Sequence, residues 1–546
     1  MASQRIHRSH YPPTQIPTNI SVSQLLQLYN PDDVAGDKVV CEDDWTGKSL
    51  SYAGIREDAA KGAFALKHIV GLQEGDSICI SSPNSVAVVK LIHAVLWCGG
   101  IAVLINPLST EYEVAHCLDV ARPKFLASDA STRPTLHSAA KRQGLPHLTS
   151  ISVDDISGDF SSQHTLSSLF SHQELIPPFD LSERDSREHT AVVCFSSGTS
   201  GKAKGVELSH YNVVASMLGM RATDPTYWNA NIRSVFLAPL CHIYGLMTVA
   251  LMGAWIGAYN VLMRKYTLES FLELSASINA NAFRILPTIA VAISKQASFD
   301  LARLSSVKLI MCTGAALPPS TIKFFQEAFA GAPIFQGYGM TEANITMLKA
   351  ESAHHIGSVG KLFANVEARI IDDEGNGVTP GEQGEICIRG PNVFRRYMRN
   401  AEATNDTFVG NWMKTGDVGK VDKEGYFFLT ERKKELIKYK GNQVAPAELE
   451  ALLNSHPDVS EGAVCALWDS DQGTEVPIAY ISLRKGVSSS APLLASIRQH
   501  VDSEVAPYKK LRGGIVVLDE IPKSGNGKIL RRMLPARLAR ERNAKL

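Results

Sequence analysis

The chain has 546 residues, 55 Lys+Arg against 55 Asp+Glu, 45% hydrophobic residues and 7% aromatics. That length allows about three or four domains of roughly 150 residues and an ample buried core. A formal net charge of zero argues against a non-specific nucleic-acid or anionic-membrane binder, and the apolar content excludes a wholly disordered chain.

The N-terminal stretch Met1 to Tyr11 carries Arg5, His7, Arg8 and His10 with no apolar segment behind them, so no secretory signal is expected. An α/β alternation then begins. Asp76 to Ser81 reads as a strand, Val86 to Trp97 as a helix stopped by Gly99-Gly100, and Ile101 to Ile105 as the next strand. The rhythm recurs at Lys124 to Ala127, Ala191 to Phe195, Val261 to Met263, Phe283 to Ile285 and Val307 to Met311. Asp154 to His172, rich in Ser and Asp, reads as a surface excursion. Leu246 to Ala258 is the best apolar run, but a membrane-spanning helix needs about 20 residues, so it reads as a buried element.

From Val366 the texture turns to short β-like runs, Ala368 to Asp372 and Gly384 to Gly390. A charge run at Glu431 to Lys434 marks a second change. Beyond it Pro446 to Leu453 reads as a helix with proline at its start, in a small α+β domain. The fold class is therefore α/β: a large N-terminal domain over residues 1–431 with a small β-rich subdomain, then a small α+β domain over 432–546. Nine scattered cysteines without a CxxC pair suit a reducing compartment and give neither a disulfide framework nor a zinc site. The last residues, Ala544-Lys545-Leu546, fit the small-basic-Leu form of the peroxisomal address, which would engage the peroxisomal import receptor; a basic tail that happens to end in Leu is the competing reading.

The strongest local signal is Phe195-Ser-Ser-Gly-Thr-Ser-Gly-Lys-Ala-Lys-Gly205. An apolar strand enters a loop of glycines, hydroxyls and lysines. Glycines allow backbone N–H groups to converge on an anion, Ser196, Ser197, Gly198, Thr199 and Ser200 add donors, and Lys202 or Lys204 adds charge. It is not a Walker A loop, because the Gly-x4-Gly-Lys-[Ser/Thr] spacing is not met.

That segment resembles the phosphate loop of the adenylate-forming superfamily, which includes acyl-CoA synthetases and 4-coumarate:CoA ligases. Ala203 stands where the family usually has proline, while Lys204 and Gly205 keep their places. Further motifs follow in the family's order: Pro239-Leu-Cys-His-Ile-Tyr-Gly245, Thr313-Gly-Ala-Ala-Leu317, Gln336-Gly-Tyr-Gly-Met-Thr-Glu342, Gly384-Glu-Ile-Cys-Ile-Arg-Gly390, Thr415-Gly-Asp417, Arg432 to Gln443 and Pro522 to Lys528. The resemblance spans about residues 40 to 533.

By that resemblance the activity is ATP-dependent acid:CoA ligation, through an acyl- or aryl-AMP with release of pyrophosphate, using Mg²⁺ and coenzyme A. The family's small domain is mobile, with its hinge at Lys434. Lys528 is the implied cation of adenylation, since negative charge gathers around the α-phosphorus in an in-line displacement. Thr341 would donate to the α-phosphate and Glu342 would ligate Mg²⁺, a hard ion suited to a carboxylate. Gln336, Gly337 and Tyr338 belong to the nucleotide site. Asp417, an acceptor-only carboxylate, would hold the ribose hydroxyls together with Arg432. His242 lies by resemblance near the acyl carboxylate and thiol path, although a lone His in an apolar stretch is also a common core residue. Tyr244, Gly314, Ala315, Gly339 and Ile345 would line the acyl pocket. Lys438 and Gln443 would contact the acyl-adenylate, and Lys440, Gly441 and Lys265 the CoA. Asn344 and Ile345 replace the Gly and Pro of typical coumarate ligases, which leaves medium-chain fatty, aryl and specialised-metabolite acids open. Two alternatives stay open: an adenylating enzyme serving a carrier-protein thiol or other acceptor, and a silent ligand-binding relative.

Overall fold

The computed structural model describes residues 6–145, 147–154, 164–196, 203–296, 298–313, 317, 319–329, 331–432, 435–439, 442–469, 474–505, 507–523 and 529–536. The chain forms two compact units. One comprises Ile6–Ala368 with Ile388–Met413; the other comprises Arg369–Cys387 and the chain from Lys414 onward.

The larger unit holds an eight-stranded sheet ordered Arg396–Tyr397, Lys204–Ser209, Thr190–Ser196, Ile101–Ile105, Ser77–Ser81, Phe125–Ser128, Thr149–Ser152 and His164–Thr165. From Thr190–Ser196 to the His164–Thr165 edge all pairings are parallel, as buried α/β sheets require. Val86–Trp97 is a helix at the bounds read from the sequence. Ser85 caps it by accepting from the Val88 N–H at 3.1 Å, and apolar side chains around its circumference match its burial. Leu246 to Ala258 is buried throughout, as a π-helical segment Leu246–Leu251 followed by the helix Met252–Ile256.

The 154–172 stretch is less of an excursion than its composition suggests. Residues 155–163 lie outside the described residues, but beyond them His164–Thr165 extends the sheet. Leu166–Phe170 is a helix that buries Leu166 and Leu169. Two leucines three apart were enough apolar surface to draw it onto the core.

A second sheet in this unit is ordered Ala282–Ile285, Leu309–Thr313, Ile334–Met340, Ala343–Met347 and Lys361–Leu362, its first three strands parallel. Phe271, Phe283, Phe325 and Phe329 pack beside it in one core, with Phe325 and Phe329 stacked at 5.2 Å. In the smaller unit the helix Pro446–Ser455 and the strands Val459–Asp469, Thr474–Leu483 and Ile515–Val517 enclose a core of Ile437, Val444, Leu449, Leu453, Val464, Ile481 and Val501.

Candidate active site

Strands Thr190–Ser196 and Lys204–Ser209 form an antiparallel hairpin in which Ser196 pairs with Lys204. Ser197, Gly198, Thr199, Ser200 and Lys202, between those paired residues, lie outside the described residues. Ala203 gives its carbonyl to His116 Nε2 at 2.8 Å; a carbonyl can only accept, so Nε2 carries the proton. Lys204 Nζ sits 4.6 Å from the centroid of the Tyr397 ring, a cation–π distance. The hydroxyl of that same tyrosine donates to Glu342 Oε1 at 2.8 Å. Lys204 and Glu342, 138 positions apart, therefore meet through one side chain.

The two central motifs are stitched together by the second sheet. Cys312 pairs with Gln336 and Thr313 with Gly337 across parallel strands, and Gln336 Oε1 accepts from the Leu317 N–H at 3.0 Å. Gly314 and Ala315 lie outside the described residues. On the other side, Met340 pairs with Ala343, so Thr341 and Glu342 are the two residues of a tight hairpin turn. Both are nonetheless buried, at 7% and 6% exposure, and so are Tyr338 and Ile345. A side chain at Gly339 would meet the Ala343 carbonyl oxygen at 3.2 Å, which the turn's close approach explains.

His242 precedes the short helix Ile243–Gly245, and burial holds its imidazole below the ordinary pKa, favouring the neutral ring. Asn84 clamps the segment: its Oδ1 accepts from Leu240 N–H at 2.7 Å and its Nδ2 donates to Ala238 O at 3.0 Å. Gly245 has no substitute here, because a Cβ would stand 2.4 Å from the Pro239 carbonyl oxygen. The Tyr244 hydroxyl is buried beside Thr313 without a hydrogen bond of normal geometry, and burial raises its pKa. Lys265 is exposed, between the strand Tyr259–Leu262 and the helix Leu268–Ser277.

In the smaller unit Asp417 pairs with Arg432 across the antiparallel strands Trp412–Val421 and Phe427–Arg432. Gly416 has φ +72°, and Asp417 takes its main-chain hydrogen bond from N–H to Thr415 Oγ1 at 3.1 Å. Lys438 pairs with Gln443 in a two-stranded ribbon. Lys434, Lys440, Gly441 and Lys528 lie outside the described residues. The chain on either side of the last is pinned, however. Lys523 bridges to Ile529 and its Nζ meets Glu461 Oε2 at 2.8 Å. Arg531 grips Glu450 with two bonds, 2.7 and 3.1 Å, and also bonds Glu435.

Tyr397, Asn84, His116 and Arg531 carry no motif signature in the sequence. Their roles emerge only from contacts spanning 55 to 156 positions.

Comparison with known proteins adds to this geometry. The AMP-binding enzyme family model matches residues 31–398, and the AMP-binding enzyme C-terminal domain model matches residues 448–528. The chain is 35% identical over 512 residues to Probable 4-coumarate–CoA ligase 1 of Dictyostelium discoideum, covering 91% of this chain and 92% of that one. It is 32% identical over 500 residues to Peroxisomal OPC-8:0-CoA ligase 1 of Arabidopsis thaliana, covering 90% and 88%. Among solved structures it resembles o-succinylbenzoate CoA synthetase of Bacillus subtilis in complex with its acyl-adenylate intermediate. The TM-score is 0.78, with 26% identity and 96% and 99% of the two chains covered.

Proposed function

The chain belongs to the AMP-binding enzyme family and is an adenylating acid:CoA ligase, and from that premise we propose how its residues divide the work. In the first half-reaction the acid's carboxylate attacks the α-phosphorus of ATP and pyrophosphate leaves. In the second, CoA thiolate attacks the acyl carbon and AMP leaves. The convergence of Lys204 and Glu342 on Tyr397 is the observation that carries the assignment. It puts a cation of the glycine-rich hairpin and a buried carboxylate at the same place, as binding of a metal–triphosphate demands.

Ser196, Ser197, Gly198, Thr199, Ser200, Lys204 and Thr341 are assigned to the phosphates, with Gln336, Gly337 and Tyr338 forming the wall of the nucleotide site. Asp417 and Arg432 are assigned to the ribose. Glu342 fits a Mg²⁺ role: its Oε1 takes a neutral hydroxyl donor, and no cation among the described residues pairs with it. Magnesium typically takes one or two protein carboxylates with water and phosphate oxygens, so one buried glutamate is a sufficient protein share. When bound, the ion would neutralise charge on the triphosphate. Lys528 is assigned to the reacting carboxylate and phosphate in adenylation. Lys438 and Gln443 are assigned to the acyl-adenylate, Lys440, Gly441 and Lys265 to CoA, and Lys434 to the hinge between the two steps.

His242, held neutral by burial, is assigned to the junction of the acyl carboxylate and the thiol path. Peroxisomal import is proposed from Ala544-Lys545-Leu546 and from the named location of one relative; a fluorescent fusion with and without the tripeptide tests it.

The ligase reading is tested by incubating the protein with Mg-ATP and a panel of aliphatic and aromatic acids, with and without CoA, and identifying products by mass spectrometry. An acyl-CoA formed only when all components are present upholds it. Acyl-AMP accumulating beside unreacted CoA would move the final acceptor to a carrier thiol or another nucleophile.

A further inference from the structure

Arg284, on the strand Ala282–Ile285, is 1% exposed and has no carboxylate within ion-pair distance among the described residues. Its Nη1 donates to Asn260 Oδ1 at 3.2 Å and, at 3.4 Å, to the Thr248 carbonyl. Its Nε and Nη2 make no hydrogen bond. Those two nitrogens form the side edge of the guanidinium, whose parallel N–H groups match the two oxygens of a carboxylate.

The surroundings are also short of acceptors. The guanidinium carbon lies 5.3 Å from the Trp228 ring centroid and 5.8 Å from that of Tyr227. Trp228 Nε1, an obligate donor, is buried without a hydrogen-bond partner, and the buried Tyr227 hydroxyl has the Arg284 guanidinium as its polar neighbour. Asp224, the buried acid that influences Tyr227, gives its Oδ1 to the Thr226 and Tyr227 turn instead. A buried charge is ordinarily paired, and a buried donor ordinarily satisfied, so a cation with no carboxylate partner beside a free indole N–H suits an added anion.

The cluster borders the acyl site. The buried Tyr244 hydroxyl lies beside Thr313 and within electrostatic reach of Arg284, Tyr227 and Cys312. Thr248, whose carbonyl Arg284 contacts, donates through its hydroxyl to the Tyr244 carbonyl at 2.6 Å. It belongs to the π-helical segment Leu246–Leu251, a kind of local widening frequent at functional sites.

We propose that Arg284, with Tyr227 and Trp228, recognises a second carboxylate at the far end of the acid, so that the preferred substrates are dicarboxylic acids activated at one end. The proposal rests on the ligase reading for its location in the acyl site, and the test separates the two.

The probes are two matched pairs: dodecanedioate with dodecanoate, and 4-carboxycinnamate with 4-methylcinnamate. Acyl-AMP formation is measured for wild type, Arg284→Met and Arg284→Lys, together with the thermal shift each acid produces without ATP. The wild type is expected to favour the diacid of each pair at least tenfold in kcat/KM. Arg284→Met should lower that ratio at least 100-fold, and Arg284→Lys, which keeps the charge but loses the fork, should lower it less. A wild-type preference for the monoacid in both pairs overturns the proposal whatever the variants do, and so does an unchanged ratio in both variants. Acyl-AMP from monoacids without diacid preference leaves the ligase reading standing alone. A diacid thermal shift lost in both variants, with no acyl-AMP from any acid, upholds the anion site and sinks the ligase reading instead.

Discussion

Tyr397 donates its hydroxyl to Glu342 at 2.8 Å while its ring supports Lys204 at 4.6 Å. The strand Arg396–Tyr397 pairs with Lys204–Ser209, Val206 opposite Tyr397, so the ring is fixed by the same hairpin that carries the lysine. Removing the hydroxyl alone, in Tyr397→Phe, frees the Glu342 carboxylate and spares the cation–π contact. A hydrogen bond to a charged group contributes about 1.5–3 kcal/mol. The half-saturating Mg²⁺ concentration for acyl-AMP formation should therefore rise about tenfold or more, while CoA capture of supplied acyl-AMP changes little. An unchanged Mg²⁺ requirement would detach Glu342 from the metal.

Lys528→Ala should cripple adenylation and leave capture of supplied acyl-AMP much less affected. Separate rates for the two half-reactions provide the check. Equal losses in both would remove the division of labour on which the assignment of Lys528 and the Lys434 hinge depends.

Much of this was legible in the sequence, for a physical reason. Val86–Trp97 and Ile101–Ile105 were readable because two apolar runs flank the Gly99-Gly100 stop, and local signals suffice for such elements. The motif from Gln336 to Glu342 was legible through its resemblance to the adenylate-forming family; the two-residue turn at Thr341-Glu342 and the close approach at Gly339 came only with the structure. Tyr397 and Asn84 were not legible. Each acts through a contact with a residue more than 50 positions away, and nothing beside them in sequence distinguishes them from an ordinary strand tyrosine or turn asparagine. Arg284 was illegible for another reason: periodicity places it on a strand but says nothing of which partners are missing.

Two histidines make stability acid-sensitive. His93 is buried with Nε2 on the Ala250 carbonyl at 2.7 Å, and burial lowers its pKa to about 4. His210 accepts from the Val22 N–H through Nδ1 at 3.1 Å, and burial lowers its pKa to about 3. Above the unfolded value of about 6.5 both states are neutral and stability does not depend on these groups. As pH falls below 6.5 the unfolded chain binds protons that the folded one refuses, so stability drops continuously toward pH 4 and then 3. Over its full window His93 accounts for about 3 kcal/mol and His210 for about 5 kcal/mol. Denaturant unfolding at pH 7.5 and pH 5 should show the loss, and His93→Gln should reduce it. An equal pH dependence in the variant would take His93 out of the account.

The Arg531–Glu450 pair lies three positions after Lys528, on one side of the segment whose other side is held by Lys523 and Glu461. Arg531 and Glu450 are 12% and 9% exposed at their side chains, so the bidentate contact is little weakened by solvent. Glu450 also accepts from the Val464 N–H at 2.8 Å, which ties the pair to a strand of the small unit's core. A lysine that must meet a reacting carboxylate needs its backbone placed to within about half an ångström. Glu450→Gln keeps the size and the main-chain bond but discharges the pair. It should slow adenylation about tenfold, through loss of Lys528 placement, with CoA capture nearly unchanged. A purely structural role would lower both half-reactions together with the melting temperature, and that parallel fall is the result that would refute the positioning role.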